Sequence, residues 1–313
     1  MNGVDVITFG EAMAMFIADQ AGDMAAVEHF TRRMAGAETN FAVGLARLGH
    51  RIGWVSRLGD DAFGRFIRGQ LVREGVDDSH VAVDREHPTG FQLKARAAEG
   101  EDPAVEYFRR GSAASHLGVD DFDAAYFASA RHLHCTGIAP ALSATTRAFA
   151  ETAMRFMRAE GKSISFDPNL RPSLWPSREA MIAGVNSLAA MADWVLPGIG
   201  EGRLLTGYQT PADIAAFYLD RGASLVVIKL GAEGAYFRSR DGEGRAAAVK
   251  VERVVDTVGA GDGFAAGVVS ALLEGEGIDA AVARGNRVGA FAIQVIGDMD
   301  GLPTRAQLAA AMA

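Results

Sequence analysis

Short apolar runs alternate with longer stretches of helical spacing along most of this chain. Residues 4–10, 52–56, 132–137, 163–167, 193–196 and 225–230 are each brief, apolar and rich in β-branched or aromatic residues, as buried strands are. Between them, residues 39–48 carry Phe41, Leu45 and Leu48 on one side of a helix. Residues 143–159 and 177–190 each open on a serine placed to cap a first turn and continue in Ala, Met and Leu. Apolar strands separated by helices predict a mostly parallel sheet covered on both faces, a three-layer α/β/α architecture.

Two stretches break the rhythm. Residues 13–33 and 89–110 contain alternating or aromatic runs, FQLKAR and VEYFRR among them, with little helical periodicity. They read as strands of a small accessory sheet. No linker rich in Pro, Gly or Ser divides the chain and no fixed-period repeat occurs. The expectation is one domain over 1–313, with a β lid formed by about 12–35 and 88–110.

Composition narrows the function classes. With 313 residues and 49% hydrophobic content, the chain has the means to build a large core. A net charge of −8 and a pI near 5.4 give no positive field to gather a nucleic acid. The opening MNGVDVITFGEA has no basic leader, and no run of 18 apolar residues suggests a membrane span, so a soluble, cytoplasmic protein is expected. A single cysteine, Cys135, has no internal disulfide partner and fits a reducing compartment.

The segment VVDTVGAGDGFAAGVVSALLEG, residues 254–275, carries the most chemistry. A β-rich lead passes through a glycine turn into an amphipathic helix starting near Asp262, and Gly259 and Gly261 let the backbone approach a ligand. Free amides at a helix N-terminus, with the dipole behind them, favour phosphate or developing negative charge. A carboxylate there is expected to stay ionised at neutral pH and to accept a proton from a hydroxyl. A bare GxGD is equally a capping Asp after a turn, so the longer DTVGAGD string carries the reading. The string His132-Leu133-His134-Cys135 invites a metal, but strand alternation sends the two histidines to one side and Cys135 to the other. Neither GxxxxGK[ST] nor a strand-linked GxGxxG occurs, which excludes P-loop and dinucleotide-binding readings.

DTVGAGD at 256–262 resembles the C-terminal signature of the ribokinase-like (PfkB) carbohydrate kinases. AGAETNFAVGLARLGHRIGWVSRLGDDAFG, residues 35–64, is similar to the family's N-terminal signature, about 200 residues earlier. The resemblance implies a ribokinase-like fold and a kinase using ATP and Mg²⁺, with a monovalent cation as a further candidate. It implies that Asp262 is the catalytic base and that the amides of Gly259, Ala260 and Gly261 form an anion hole. KLGAEGAYF and GNRVGAFA look like family segments near the nucleotide, which places Lys229, Gly231, Gly234, Thr257, Gly259, Gly261 and Asn286 on that side. Glu201 matches the glutamate of the family's Asn-x-x-Glu motif, which reaches magnesium through water, while Gly198 stands where the asparagine usually is.

Four features resemble the 2-keto-3-deoxygluconate kinases within that family. They are Tyr107 and Arg109 in VEYFRRGSAASHL, Arg171 in SFDPNLRPSLW, Gly36 with Asn40 at the start of a helix, and Asp298 in IGDMDGLP. Guanidinium groups suit carboxylates because they donate two parallel hydrogen bonds. Phe91 occupies a substrate position where such kinases usually carry tyrosine. The resemblance therefore implies phosphorylation of the terminal C6 hydroxyl of a small acid sugar. Exposed sheet edges with aromatic residues are poorly tolerated in a monomer, so the two lid segments predict a homodimer built through the lid. Kinases for fructose, tagatose, ribose or a nucleoside stay open as alternatives, as does a non-catalytic sugar-binding member of the fold.

Overall fold

The computed structural model describes residues 3–96 and 103–311; the part of the lid expectation at 97–102 lies outside them. In chain order the first elements are β1 (Val6–Phe9), β2 (Met13–Ala18), β3 (Phe30–Ala35), α1 (Ala37–Arg47), β4 (Ile52–Gly59), α2 (Ala62–Arg73), β5 (Val81–Asp84), β6 (Phe91–Lys94) and β7 (Val105–Phe108). Then come α3 (Ala124–Ser129), β8 (His132–Thr136), α4 (Ala139–Leu142), α5 (Ala144–Ala159), β9 (Ser163–Asp167), α6 (Arg178–Ala189), β10 (Trp194–Val195), α7 (Ile199–Thr206) and α8 (Pro211–Leu219). The chain closes with β11 (Leu225–Lys229), β12 (Ala235–Ser239), β13 (Glu243–Ala246), α9 (Ala260–Leu273), α10 (Ile278–Ala292) and α11 (Arg305–Ala310).

A nine-stranded sheet runs in the order β13-β12-β11-β10-β9-β8-β1-β4-β5. Pairing is parallel from β5 through β11, and only β12 and β13 join antiparallel at one edge. The alternation of side chains splits the core in two. Ile7, Phe9, Leu133, Cys135, Val226 and Ile228 pack against α4, α5, α6 and α8 on one face. Val6, Ile52, Trp54 and Val227 pack against α1, α2, α9 and α10 on the other. His132 and His134 point away from Cys135, bonding Ser163 and Ser165 at 2.8 Å, and His134 stacks on Phe41. The serine caps also form: Ser143 accepts from Thr146 N and Ser177 from Ala180 N.

The segments of alternating pattern make a second sheet of four strands, β3-β2-β6-β7. It stands beside the carboxyl ends of the parallel strands, where open α/β sheets leave a crevice. No helix among the described residues is long and apolar enough to cross a membrane.

Candidate active site

A cavity of about 500 Å³ lies between the two sheets. Its floor comes from residues just past strand ends, Glu11 after β1 and Asp167 at the end of β9, while Gln92, Lys94, Tyr107 and Arg109 descend from the small sheet. The glycine turn and the head of α9 close the remaining side.

Asp262 sits in the first turn of α9 and is held by two asparagines. Asn40 Nδ2 donates to its Oδ2 at 2.8 Å, and Asn169 Nδ2 donates to its Oδ1 at 3.1 Å. Each asparagine is placed by local backbone. Asn40 follows Gly36, the N-cap of α1, whose φ of 152° and close approach to Glu11 O leave no space for a side chain. Asn169 has a φ of 37°, alone in the left-handed region among the described non-glycine residues, and this turn aims its amide at Asp262. Gly259, with a φ of 83°, is the second enforced glycine: a Cβ there would stand 1.9 Å from Asp298 O.

The charge state of Asp262 departs from the expected one. Burial pushes its carboxyl up to about 7, opposed by the Asn40 hydrogen bond and reinforced by the nearby Asp167 charge. Helix-terminus stabilisation alone had predicted a carboxylate ionised well below neutrality, but desolvation outweighs it. Beside it, Lys229 Nζ bonds Asp167 Oδ2 at 2.6 Å. Burial works against charge on Lys229, yet Asp167 and Glu201 overcome it and hold the ammonium above its usual range. Asp167 is itself raised by burial, against the pull of Lys229.

Among the cations on the cavity wall, most are already neutralised. Arg109 pairs with buried Glu11, which also accepts from Ser112. Lys94 pairs with Asp256 and Asp298, and Lys229 with Asp167. Arg171 differs, because its Nη1 donates to Asn169 Oδ1 at 2.8 Å and Leu170 O at 2.9 Å and it makes no ion pair among the described residues. Glu201 bends back so that Oε2 accepts from Gly198 N at 2.7 Å and Oε1 from Leu170 N at 2.8 Å. Asp167 and Glu201 present the sparse oxygen donors suited to Mg²⁺, an ion that keeps several waters and shares phosphate oxygens.

The structure brings Gly36, Asn40, Tyr107, Arg109, Arg171, Glu201, Lys229, Thr257, Gly259, Gly261, Asp262 and Asp298 onto one cavity. Ala260 belongs to the same turn without lining the wall. Phe91 does not line it: alternation along β6 turns the ring to the other face, where it stacks on Phe108 with centroids 4.6 Å apart and meets Phe16 and Phe63. Gly231, Gly234 and Asn286 also stand off the cavity. Asn286 Nδ2 reaches Ala246 O at 3.1 Å, the carbonyl that crowds Gly234. Residues the sequence reading missed include Asp167, Asn169, Lys94 and Glu38. Glu38 is fully buried over Gly10 and receives the Thr136 hydroxyl, and burial raises its carboxyl despite that bond. For Lys94 a signal existed, a charge inside the strand of the alternating FQLKAR, on the face opposite Phe91.

Known proteins resemble this chain along nearly its whole length. The sequence is 54% identical over 307 residues to a 2-dehydro-3-deoxygluconokinase of Bacillus subtilis (strain 168), covering 98% of this chain and 94% of that one. The crystal structure of a PfkB protein from Polaromonas sp. JS666 superposes with a TM-score of 0.91 at 55% identity, covering 98% of this chain and 100% of that one. A putative ribokinase II from E. coli in complex with ATP and Mg²⁺ superposes at 0.92 with 25% identity and 99% of each chain covered. The pattern of the pfkB family carbohydrate kinases matches residues 4–305, and the chain belongs to that family.

Proposed function

We propose that the protein transfers the γ-phosphoryl group of ATP to the C6 hydroxyl of 2-keto-3-deoxygluconate, also called 2-dehydro-3-deoxygluconate. The observation that carries the reading is the double clamp on Asp262 at the cavity floor. A carboxylate fixed through one lone pair on each oxygen keeps the others for a substrate hydroxyl, and a pKa near the working pH suits a general base. Asp262 takes the hydroxyl proton as that oxygen bonds to phosphorus, and ADP departs with the electrons of the broken P–O bond. The turn at Gly259, Ala260 and Gly261 directs the positive end of α9 at the transferring group, and Lys229 adds a cation on the same side. Asp167 and Glu201 would hold Mg²⁺ beside the triphosphate, where the ion would supply neutralisation of its charge.

Arg171, which makes no ion pair among the described residues, supports an acid substrate, and the similarity to the Bacillus subtilis enzyme supports this particular one. Tyr107, Arg109, Gly36 and Asn40 then hold the sugar oxygens. Phe108 is 47% exposed on the face of the small sheet turned away from the cavity, which supports a homodimer formed lid to lid. The buried, unpaired Cys135 and the demand for ATP suit the cytoplasm. The test is coupled ADP release with 2-keto-3-deoxygluconate, fructose, tagatose, ribose and a nucleoside. Preference for a neutral substrate would discard the acid-sugar reading. Thermal stabilisation by sugar without turnover would point instead to a non-catalytic binding protein.

A further inference from the structure

Asp256 opens the DTVGAGD turn and Asp298 lies in the C-terminal loop, and both side chains are 5% exposed. They share one ammonium. Lys94 Nζ stands 2.6 Å from Asp256 Oδ2 and 2.9 Å from Asp298 Oδ1, and the Lys94 side chain is 2% exposed. Lys94 is the last residue of β6, so this cation is delivered by the lid. Two buried carboxylates this close need a cation, since neither has water to solvate it.

The carboxylates in turn grip the phosphate turn. Asp256 Oδ1 accepts from Val258 N at 3.1 Å and its Oδ2 from Gly297 N at 3.3 Å. The carbonyl of Asp298 packs directly on Gly259, 1.9 Å from where a Cβ would stand. One ammonium thus joins three segments: the lid, the turn that begins α9, and the loop behind that turn. We infer that Lys94 is a positioning residue for phosphoryl transfer, a tethered monovalent cation that holds Asp256 and Asp298, and through them the amides of the glycine turn, when the lid lies over the sugar. The assignment rests on the kinase reading above. Because the cation is covalently attached, the wild-type enzyme needs no exchangeable monovalent ion at this place.

The test compares wild type, Lys94→Ala and Lys94→Met with ATP, Mg²⁺ and 2-keto-3-deoxygluconate. Each is assayed in tetramethylammonium, potassium and ammonium chloride at one ionic strength, with Tm recorded in each salt. Wild-type kcat is expected to be the same in all three salts. Lys94→Ala is expected to lose up to roughly 10²–10³-fold in kcat, the cost of losing an anion-hole donor, with a smaller change in KM for the sugar. Ammonium should restore part of that loss by entering the vacated space. Lys94→Met fills the space with carbon and should stay slow in every salt. Should Lys94→Ala not fold, Lys94→Met/Asp298→Asn removes one charge of each sign. The inference requires this variant to bind ATP by calorimetry and to turn over about tenfold or more slowly. Unchanged kcat in either single variant overturns the inference, as does a loss in Lys94→Ala that ammonium leaves untouched. Absence of sugar turnover by wild type would instead sink the kinase reading itself.

Discussion

Asn40 Nδ2 lies 2.8 Å from Asp262 Oδ2, joining residues 222 positions apart in the sequence. The bond fixes the carboxylate and draws its basicity down against the upward push of burial, while the second lone pair on each oxygen stays available. Asp262→Asn tests this directly. Asn40 Oδ1 has no hydrogen-bond partner, so Asn40 has a free acceptor to turn toward the new amide. The variant is expected to fold and bind ATP while kcat drops by about 10²–10⁴-fold, the range of general-base contributions. Retention of more than about half the wild-type kcat would remove Asp262 from the chemistry.

Activity should also follow the ionisation of that base. With its carboxyl pushed up to about 7, Asp262 is protonated over much of the mildly acidic range. The expected profile of kcat/KM rises with pH through about 7 and then levels. A profile already flat down to pH 5 would contradict a desolvated base.

The same shift has a consequence for stability. The folded state binds the Asp262 proton more tightly than the unfolded chain does, so between the ordinary carboxylate range and about 7 stability contributed by this group declines as pH rises. Asp262→Asn removes the ionisation, and it should gain Tm relative to wild type at pH 8 more than at pH 5. Parallel Tm curves for the two proteins across that range would show that burial is not what raises the group.

How far the site was legible depended on whether its residues belong to a local pattern. The caps Ser143 and Ser177, the strand at Ser163–Asp167 and the glycine turn follow from spacing within a few residues. Asn169 and Lys94 do not, since each acquires meaning only when topology brings it to Asp262 or Asp256. Phe91 shows the converse. Its place in a matching motif put it beside the sugar, whereas the two-residue period of β6 turns it away. The ionisation of Asp262 was misjudged because a helix N-terminus can be read from sequence and the depth of burial cannot.

Gly259→Ala probes the turn without touching a titratable group. A left-handed alanine costs about 1–2 kcal/mol in the backbone alone. The methyl would also meet Asp298 O, 1.9 Å away, and must move either the turn or the C-terminal loop. Loss of kcat should therefore exceed what the fall in Tm explains. If Gly259→Ala keeps full activity, the close packing of Asp298 on this turn is irrelevant to catalysis.

The exposed aromatic edge of the lid predicts assembly. Phe108 stacks on Phe91 on the outer face of the lid and is 47% exposed, leaving an aromatic surface there for a second copy to cover. Phe108→Asp is expected to shift the protein from dimer to monomer in light scattering at micromolar concentration. A wild-type protein already monomeric under those conditions would rule out the lid interface.

Arg171 is expected to set substrate selectivity. It lines the cavity and makes no ion pair among the described residues, Asp262 feeling its charge only at longer range, while Arg109 and Lys94 are each committed to carboxylates. A substrate carboxylate would supply the missing anion, with a charged hydrogen bond worth about 1.5–3 kcal/mol. Arg171→Ala should thus raise KM for 2-keto-3-deoxygluconate by roughly tenfold to more than a hundredfold, with little change in KM for ATP. Fructose, which brings no charge, should lose much less. The guanidinium also braces Asn169, whose amide holds Asp262, so part of the effect should appear in kcat for both substrates. Arg171→Lys separates the two contributions: a lysine keeps the charge but loses the planar fork, so KM should recover in part while kcat stays depressed. Equal losses in KM for the acid and the neutral sugar would mean that Arg171 acts on Asn169 alone, and the carboxylate would have to be held elsewhere in the cavity.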